Sequence, residues 1–331
     1  MLKSLRYLAV IVATAVALVA SGKLDLGDWW RRLAGPGNGT ANKPTVVAWA
    51  SDNEKIRIAA FNIQMFGQKK LADAAVMKYL VDVAGRFDVL AVQEVRSVKQ
   101  DVMPRFVEAL NARAVSHGKH YDFVISDRLG DTTSKEQYAF VFDTTKIEVD
   151  HRQVYVVRDP GNRLHREPHV ASFRVRGVPT DEAFTFTLVN VHTDPDLVME
   201  ELAALDEAYH RVRDNSGGED DIIMLGDFNT HGRRLGELGH VPYLTPAIVG
   251  QPTNTQGTKQ YDNILYHREA TREYTGVSGV LDLRREYGLT YDEAKLISDH
   301  FPVWAEFSIY EGGPTRHLAG RPAGAGESQR R

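Results

Sequence analysis

Apolar runs and helical stripes alternate along this chain. "IRIAAFNI" (Ile56 to Ile63) and "DVLAVQEV" (Asp88 to Val95) read as buried strands. Between them Leu71, Ala75, Tyr79 and Val83 recur four apart, which predicts one stripe of a helix. The pattern returns later. "FTFTLVNVH" (Phe184 to His192) reads as a strand, Leu202, Leu205, Tyr209 and Val212 have helical spacing, and "DIIMLGDFN" (Asp221 to Asn229) is the next strand. Each strand–helix–strand unit predicts a right-handed crossover joining parallel strands. Parallel strands bring their C-terminal ends to one edge, and those ends carry Asn62, Glu94, His192, Asp227 and Asn229. Turn chemistry explains one polar residue at a strand end more readily than four strands ending this way. The carboxyl edge of an open α/β sheet is where sites form. Gly226 is expected to turn the chain at that edge. Asp227 and Asn229, two apart, are expected to face one side, with Phe228 turned into the core.

The flanks have a different character. "MLKSLRYLAVIVATAVALVASGK" sets Lys3 and Arg6 before an apolar run, Leu8 to Ala20. That run is shorter than the ~20 residues a membrane span prefers. Residues 1–22 are therefore expected to be a secretory signal peptide, with an uncleaved membrane anchor as the alternative. "DWWRR" (Asp28 to Arg32) would suit a membrane interface. Export is the expectation: secreted or periplasmic, or attached to the membrane through the N-terminus. Residues 23–54, with Gly35, Pro36, Gly37 and Gly39, read as a flexible linker, 55–310 as one α/β domain, and 311–331 as a disordered tail.

Charge and composition narrow the chemistry. The chain has 331 residues and a formal net charge of -4, so it lacks the basic footprint of a tight, salt-driven nucleic-acid binder. An enzyme that meets phosphates through a metal and a few arginines stays open. There are no cysteines, which excludes disulfides, thiolate zinc sites and thiol catalysis. No Gly-x-Ser-x-Gly elbow and no P-loop occur. Glu94, Asp227, Asp299 and Asn62 offer hard oxygen ligands that suit Mg²⁺, Mn²⁺ or Ca²⁺. His192 lies in "NVHTDP" and His300 in "ISDHFPV"; Asp262 opens a further strand in "QYDNILYH". A lone histidine in a strand is more often structural. A carboxylate partner, however, fixes its tautomer and stabilises its imidazolium form. Two such pairs would supply a base for water and an acid for a leaving oxygen, which with a metal suits hydrolysis of a phosphoester. Two charged features read as structural instead. Glu200, Glu201, Asp206 and Glu207 are expected on the solvated face of a helix, and "TYDE" (Thr290 to Glu293) as a capping box.

Eight segments, in order, resemble one family. They are "IRIAAFNIQMFG", "VLAVQEVR", "YDFVISDRLGDTTSKEQYAFVF", "LHREPHVASF", "NVHTDP", "IIMLGDFN", "YDNILY" and "ISDHFPV". The resemblance is to the endonuclease/exonuclease/phosphatase superfamily and, through "KEQYAF" and "REP", to its deoxyribonuclease I-like branch. It implies a four-layer α/β sandwich, with two packed mixed sheets flanked by helices. It also implies a metal-dependent phosphodiesterase that cuts DNA, expected double-stranded, with the enzyme expected to be a monomer. Carried across, Glu94 is the main metal carboxylate, with Asn62 and Asp299 close by. Asp227 and Asn229 hold metal or phosphate. His192 pairs with Glu136 and His300 with Asp262. Arg166 holds a phosphate and Arg96 reaches into the minor groove. Three positions expected to touch DNA depart from the family: Gln64 and Gln137 stand for arginines and Ser134 for a tyrosine. Weaker or redirected duplex binding is the expectation, with a shallower salt dependence.

Other readings are a phosphoesterase of the same superfamily acting on a phospholipid or sugar phosphate, and a catalytically dead binding protein. Against the second, every expected catalytic position is filled. A calcineurin-like phosphatase would share a Gly-Asp motif, but the Gly-Asn-His motif it needs is missing.

Overall fold

Side-chain alternation along β1 (Lys55–Phe66) sorts its residues between two cores. Ile56, Ile58 and Ala60 enter one, while Ala59, Phe61 and Ile63 enter another. A strand buried on both faces must be apolar throughout, hence the continuous run in the sequence. The computed structural model describes residues 53–133 and 135–313. The expected leader, nearly all of the linker, Ser134 and the tail beyond Gly313 lie outside the described residues.

Among the described residues, twelve strands form two six-stranded sheets. The first contains β1, β2 (Val89–Val95), β3 (Tyr121–Ile125), β4 (Gln137–Asp143), β11 (Tyr274–Val280) and β12 (Val303–Ser308), in the order β11-β12-β1-β2-β4-β3. The second contains β5 (Ile147–Val156), β6 (His169–Val175), β7 (Thr185–His192), β8 (Ile222–Asp227), β9 (Leu244–Pro246) and β10 (Asp262–His267), in the order β5-β6-β7-β8-β10-β9. The β1/β2 and β7/β8 pairs are parallel, as the two expected crossovers require; the other pairs are antiparallel. Helices α1 (Gln68–Ala72), α2 (Ala74–Ala84) and α3 (Val102–Ala114) cover the outer face of the first sheet, and α4 (Val198–Asp214) covers that of the second. The short helices α5 (Leu283–Tyr287) and α6 (Tyr291–Ile297) add Leu283 and Ile297 to the first outer core. The third core lies between the sheets and includes Phe140, Phe173, Phe184, Phe186 and Phe307. The fold is a four-layer α/β sandwich.

Local chemistry changes two helical expectations. The stripe Leu71–Ala75–Tyr79–Val83 does not run through one helix. The Asp73 side chain accepts from the backbone N–H groups of Ala75 and Val76 and starts α2 afresh. The new register buries Val76, Leu80, Val81, Val83 and Ala84 and leaves Ala75 exposed. In α4, Leu202, Leu205, Tyr209 and Val212 are buried as the spacing predicts, but so is Glu201. It is not on the solvated face: its carboxylate accepts from His165 N at 2.7 Å and Asp194 N at 2.8 Å. The Thr290–Glu293 capping box is present at the start of α6.

His169 on β6 is buried in the same inter-sheet layer, stacked on Phe140 with ring centroids 5.4 Å apart. Burial pushes its imidazole down to about 4, partly offset by the Tyr155 backbone. A depressed histidine stabilises the fold above its unfolded value of about 6.5, and that contribution is lost as pH falls through the folded value. Between roughly pH 6.5 and pH 4 the loss should be on the order of 3 kcal/mol. Denaturant melts across this range should therefore slope less steeply for His169→Leu than for the parent. Parallel slopes would show that the group is not buried in the neutral form.

Candidate active site

Strand register brings the first chemistry together. Asp227 ends β8; its partner on parallel β7 is His192 and its partner on antiparallel β10 is Asp262. Cross-strand partners carry their side chains to the same face. Gly226 makes the β7/β8 approach close. A Cβ built there would lie 2.0 Å from the Val191 carbonyl oxygen, and its φ of +139 lies outside the range favoured by L-residues. The strand continues through Gly226, so this glycine permits backbone contact and not the turn expected of it. The turn comes at Asn229, with φ +49. Its backbone N–H donates to Asp227 Oδ1 at 2.9 Å and its side-chain Nδ2 to the Thr193 carbonyl at 2.9 Å. Asn229 therefore leaves the strand pleat that would have aligned it with Asp227. Phe228 is buried in the α4 core.

Two imidazoles flank Asp227. His192 Nε2 lies 3.6 Å and His300 Nε2 3.5 Å from Asp227 Oδ2. On the far side of each ring a second carboxylate waits: Glu136 Oε2 is 3.0 Å from His192 Nδ1, and Asp262 Oδ2 is 2.8 Å from His300 Nδ1. The result is a nearly symmetric chain of carboxylate, imidazole, carboxylate, imidazole, carboxylate. Both pairings expected from the resemblance are in contact. Asn62 Nδ2, from the other sheet, donates to Asp227 Oδ2 at 3.0 Å. The Ser298 hydroxyl donates to the Asn62 carbonyl at 2.6 Å and accepts from the backbone N–H groups of Gln64 and His300. This one hydroxyl ties β1 to the loop that carries Asp299 and His300.

The electrostatics follow from burial opposed by pairing. Burial works against the His300 cation, yet Asp262, Asp227 and Asp299 outweigh it and push the imidazole up to about 10. Burial likewise opposes ionisation of Glu136, but His192, Arg166 and Arg96 hold it at about 2. Asp227 is held below its ordinary range because His300 and His192, aided by Asn229 and Asn62, outweigh its burial.

Glu94 lies where the β1/β2 and β2/β4 registers slip. A bulge re-aims a side chain, and Glu94 itself has φ +62. A left-handed non-glycine residue costs roughly 1–2 kcal/mol and is held only by its surroundings. Here Glu94 Oε2 accepts from Met65 N at 2.9 Å and lies 3.1 Å from Arg96 Nη2. Asp299 Oδ2 accepts from Gln64 Nε2 at 2.7 Å.

The two arginines assigned to substrate are both engaged with protein groups. Arg166 is buried: Nη1 reaches Glu136 Oε1 at 3.3 Å, Nε donates to the His192 carbonyl at 3.1 Å and Nη2 to the Thr193 carbonyl at 3.2 Å. It braces the Glu136–His192 pair. Arg96 Nη2 lies 2.5 Å from Glu136 Oε1 as well as against Glu94. Gln137 is buried and donates to the Ser126 carbonyl at 2.7 Å, so it does not present itself to a substrate.

Three supporting residues escaped the sequence reading. Ser298 is the serine of the "SDH" motif. Thr253 Oγ1 donates to Asp262 Oδ2 at 2.6 Å from a segment without periodicity. Glu201 left a signal: it stands four residues before Leu205, on the apolar stripe of α4. Its two bonds fix the Arg166 loop and Asp194 together.

Oxygen donors for a metal are at hand. Asn62 Oδ1 and Asp299 Oδ1 are buried acceptors without a hydrogen-bond partner. Among the described residues, Asp227, Asp262 and His300 also bring potential ligand atoms within 4.8 Å of one another. Asp262 and His300 already satisfy each other there, so the unspent oxygens beside Asp227 are the better cation donors. An all-oxygen set fits a hard cation.

Comparison with known proteins agrees with this geometry. The family model "Endonuclease/Exonuclease/phosphatase family" matches residues 59–300. The chain is 31% identical over 273 residues to "Deoxyribonuclease-1-like 1" of Cricetulus griseus, covering 80% of this chain and 87% of that protein. It is 32% identical over 269 residues to "Deoxyribonuclease gamma" of Homo sapiens, covering 77% and 86%. Among solved structures, a functionally unknown conserved protein from Enterococcus faecalis V583 superposes with a TM-score of 0.53 at 16% identity, covering 76% of this chain and 98% of that one. This last likeness concerns the fold alone. By family model and by sequence relatives, the chain belongs to the endonuclease/exonuclease/phosphatase family and to its deoxyribonuclease I-like branch.

Proposed function

We propose that this protein is a divalent-metal-dependent endonuclease that hydrolyses DNA phosphodiester bonds. One observation carries the mechanism: two carboxylate-paired imidazoles converge to 3.5 and 3.6 Å from a single buried carboxylate, Asp227. One imidazole takes the proton of the attacking water and the other gives a proton to the leaving oxygen. Glu136 and Asp262 keep the rings oriented with Nε2 facing the substrate. Asn229 and Asn62 hold Asp227, and Arg166 keeps Glu136 ionised behind His192. Glu94, Asn62, Asp299 and Asp227 would hold the metal, with Mg²⁺ first and Mn²⁺ or Ca²⁺ as alternatives; it would offset charge on the phosphate as the transition state forms. Duplex DNA as substrate rests on the relatives named deoxyribonucleases.

A second reading, a phosphoesterase for a phospholipid or sugar phosphate, draws on the inward commitment of Gln64, Gln137, Arg96 and Arg166. Comparing turnover of the full chain on duplex DNA, a phosphatidylinositol phosphate and a sugar phosphate separates the two. The nuclease reading expects cleavage of DNA at least about tenfold faster; a preference for either other substrate would replace it. The apolar N-terminal run after Lys3 and Arg6 supports export, free or membrane-attached, and the enzyme is proposed to act as a monomer. Among the described residues no helix is long and apolar enough to cross a membrane.

A further inference from the structure

The strand ends opposite the catalytic edge carry a second group of carboxylates. Asp221 precedes β8, Glu273 precedes β11 and Glu311 follows β12. Asp221 and Asp227 bracket β8 and lie about 20 Å apart along it. Oxygens of Asp221, Glu273 and Glu311 come within 4.8 Å of one another. A cluster of this kind is common on a surface, but this one is interior: Asp221 is 1% exposed and Glu273 0%. Both Asp221 oxygens and Glu273 Oε2 are buried with no hydrogen-bond partner. Buried polar atoms without partners are rare, and ionised ones rarer. The Thr271 hydroxyl, also buried, faces Asp221 without completing a hydrogen bond.

Two further oxygens of the group accept from backbone N–H groups. Glu273 Oε1 accepts from Gly312 N, and Glu311 Oε2 accepts from Thr185 N at 3.2 Å. A groove of about 710 Å³, lined in part by Glu219, Asp220 and Glu311, reaches the group at Glu311.

We propose that Asp221, Glu273 and Glu311, with the Thr271 hydroxyl, form a structural divalent-cation site of the calcium type. All of its donors are oxygens, and calcium accepts about six to eight of them in flexible arrangements. Asp221 belongs to one sheet and Glu273 and Glu311 to the other, so the ion would clasp the two sheets at the pole away from catalysis. Its effect is therefore on stability and not on the chemical step. The rival arrangement neutralises the carboxylates with protons. Burial and then Glu273 push Asp221 up to about 9, and burial pushes Glu273 up to about 7.

Calcium titration of the chelator-treated full chain decides between them. Asp221→Asn and Glu311→Gln should each bind one Ca²⁺ fewer than the parent by calorimetry. With Ca²⁺ at about a hundred times its dissociation constant, the parent should gain on the order of 5 °C in Tm through this site, and both variants should lose that increment. In chelator the variants should melt no lower than the parent, because each removes a repelling carboxylate. Glu311→Gln, the more accessible change, carries the comparison if Asp221→Asn does not fold. Unchanged stoichiometry with an unchanged Ca²⁺-dependent Tm rise would overturn the site in favour of shared protons.

Discussion

Replacing His192 or His300 with alanine should lower the turnover of DNA by about 10²- to 10⁴-fold, the range of a lost general acid or base. The two variants should differ in stability. His192→Ala leaves Glu136 with Arg96 and Arg166 still beside it. His300→Ala leaves Asp262, fully buried, with Thr253 as its remaining side-chain partner and with Oδ1 already unpartnered. Removing one member of a buried ion pair costs about 3–5 kcal/mol when the other charge is stranded. His300→Ala should therefore melt well below His192→Ala. The double variant should lose little more activity than either single one, because both rings serve one transition state. Single-turnover rates and melting curves of the three variants check this. Independent, multiplicative losses would mean that the two rings contribute separately to that transition state and do not act as a unit.

Asp227→Asn should abolish more activity than any other isosteric change, about 10³-fold or beyond, on the scale of a lost oriented charge. Asp227 stands between both imidazoles and would also donate to the metal. The substitution keeps an oxygen for the Asn229 backbone N–H, but it sets an amide N–H against the Asn62 Nδ2 donor and removes the charge that both imidazoles pair with, so Tm should fall. His300 should then titrate below its present value of about 10, since Asp227 is one of the carboxylates that raise it. NMR titration of the His300 ring together with the turnover number tests both halves. A variant with near-normal turnover would remove Asp227 from the mechanism.

Much of this site was legible because strand ends have a fixed geometry. "VNVH" and "MLGDFN" are parallel neighbours, and register alone sets His192 beside Asp227. The order of strands in two sheets was not legible from periodicity; the resemblance implied only the two packed sheets flanked by helices. Packing details eluded both. Gly226 looks like a turn former until the Val191 carbonyl is seen beside it. Glu201 looks like a solvated charge, since a carboxylate on an apolar stripe is worth burying only when backbone donors meet it, and those come from loops outside the helix, at His165 and Asp194. Arg166 was placed by motif, yet its guanidinium is committed to the Glu136–His192 pair. Asp73 restarts a helix that the four-residue spacing carries straight through.

Conversion of supercoiled plasmid to nicked circles by the full chain, in Mg²⁺ and in Mg²⁺ with excess chelator, tests the central claim most directly. The account predicts nicking that depends on the metal and is lost in Asp227→Asn. Nicking that persists in chelator, or an intact plasmid under conditions where a simple phosphodiester is hydrolysed, would contradict it.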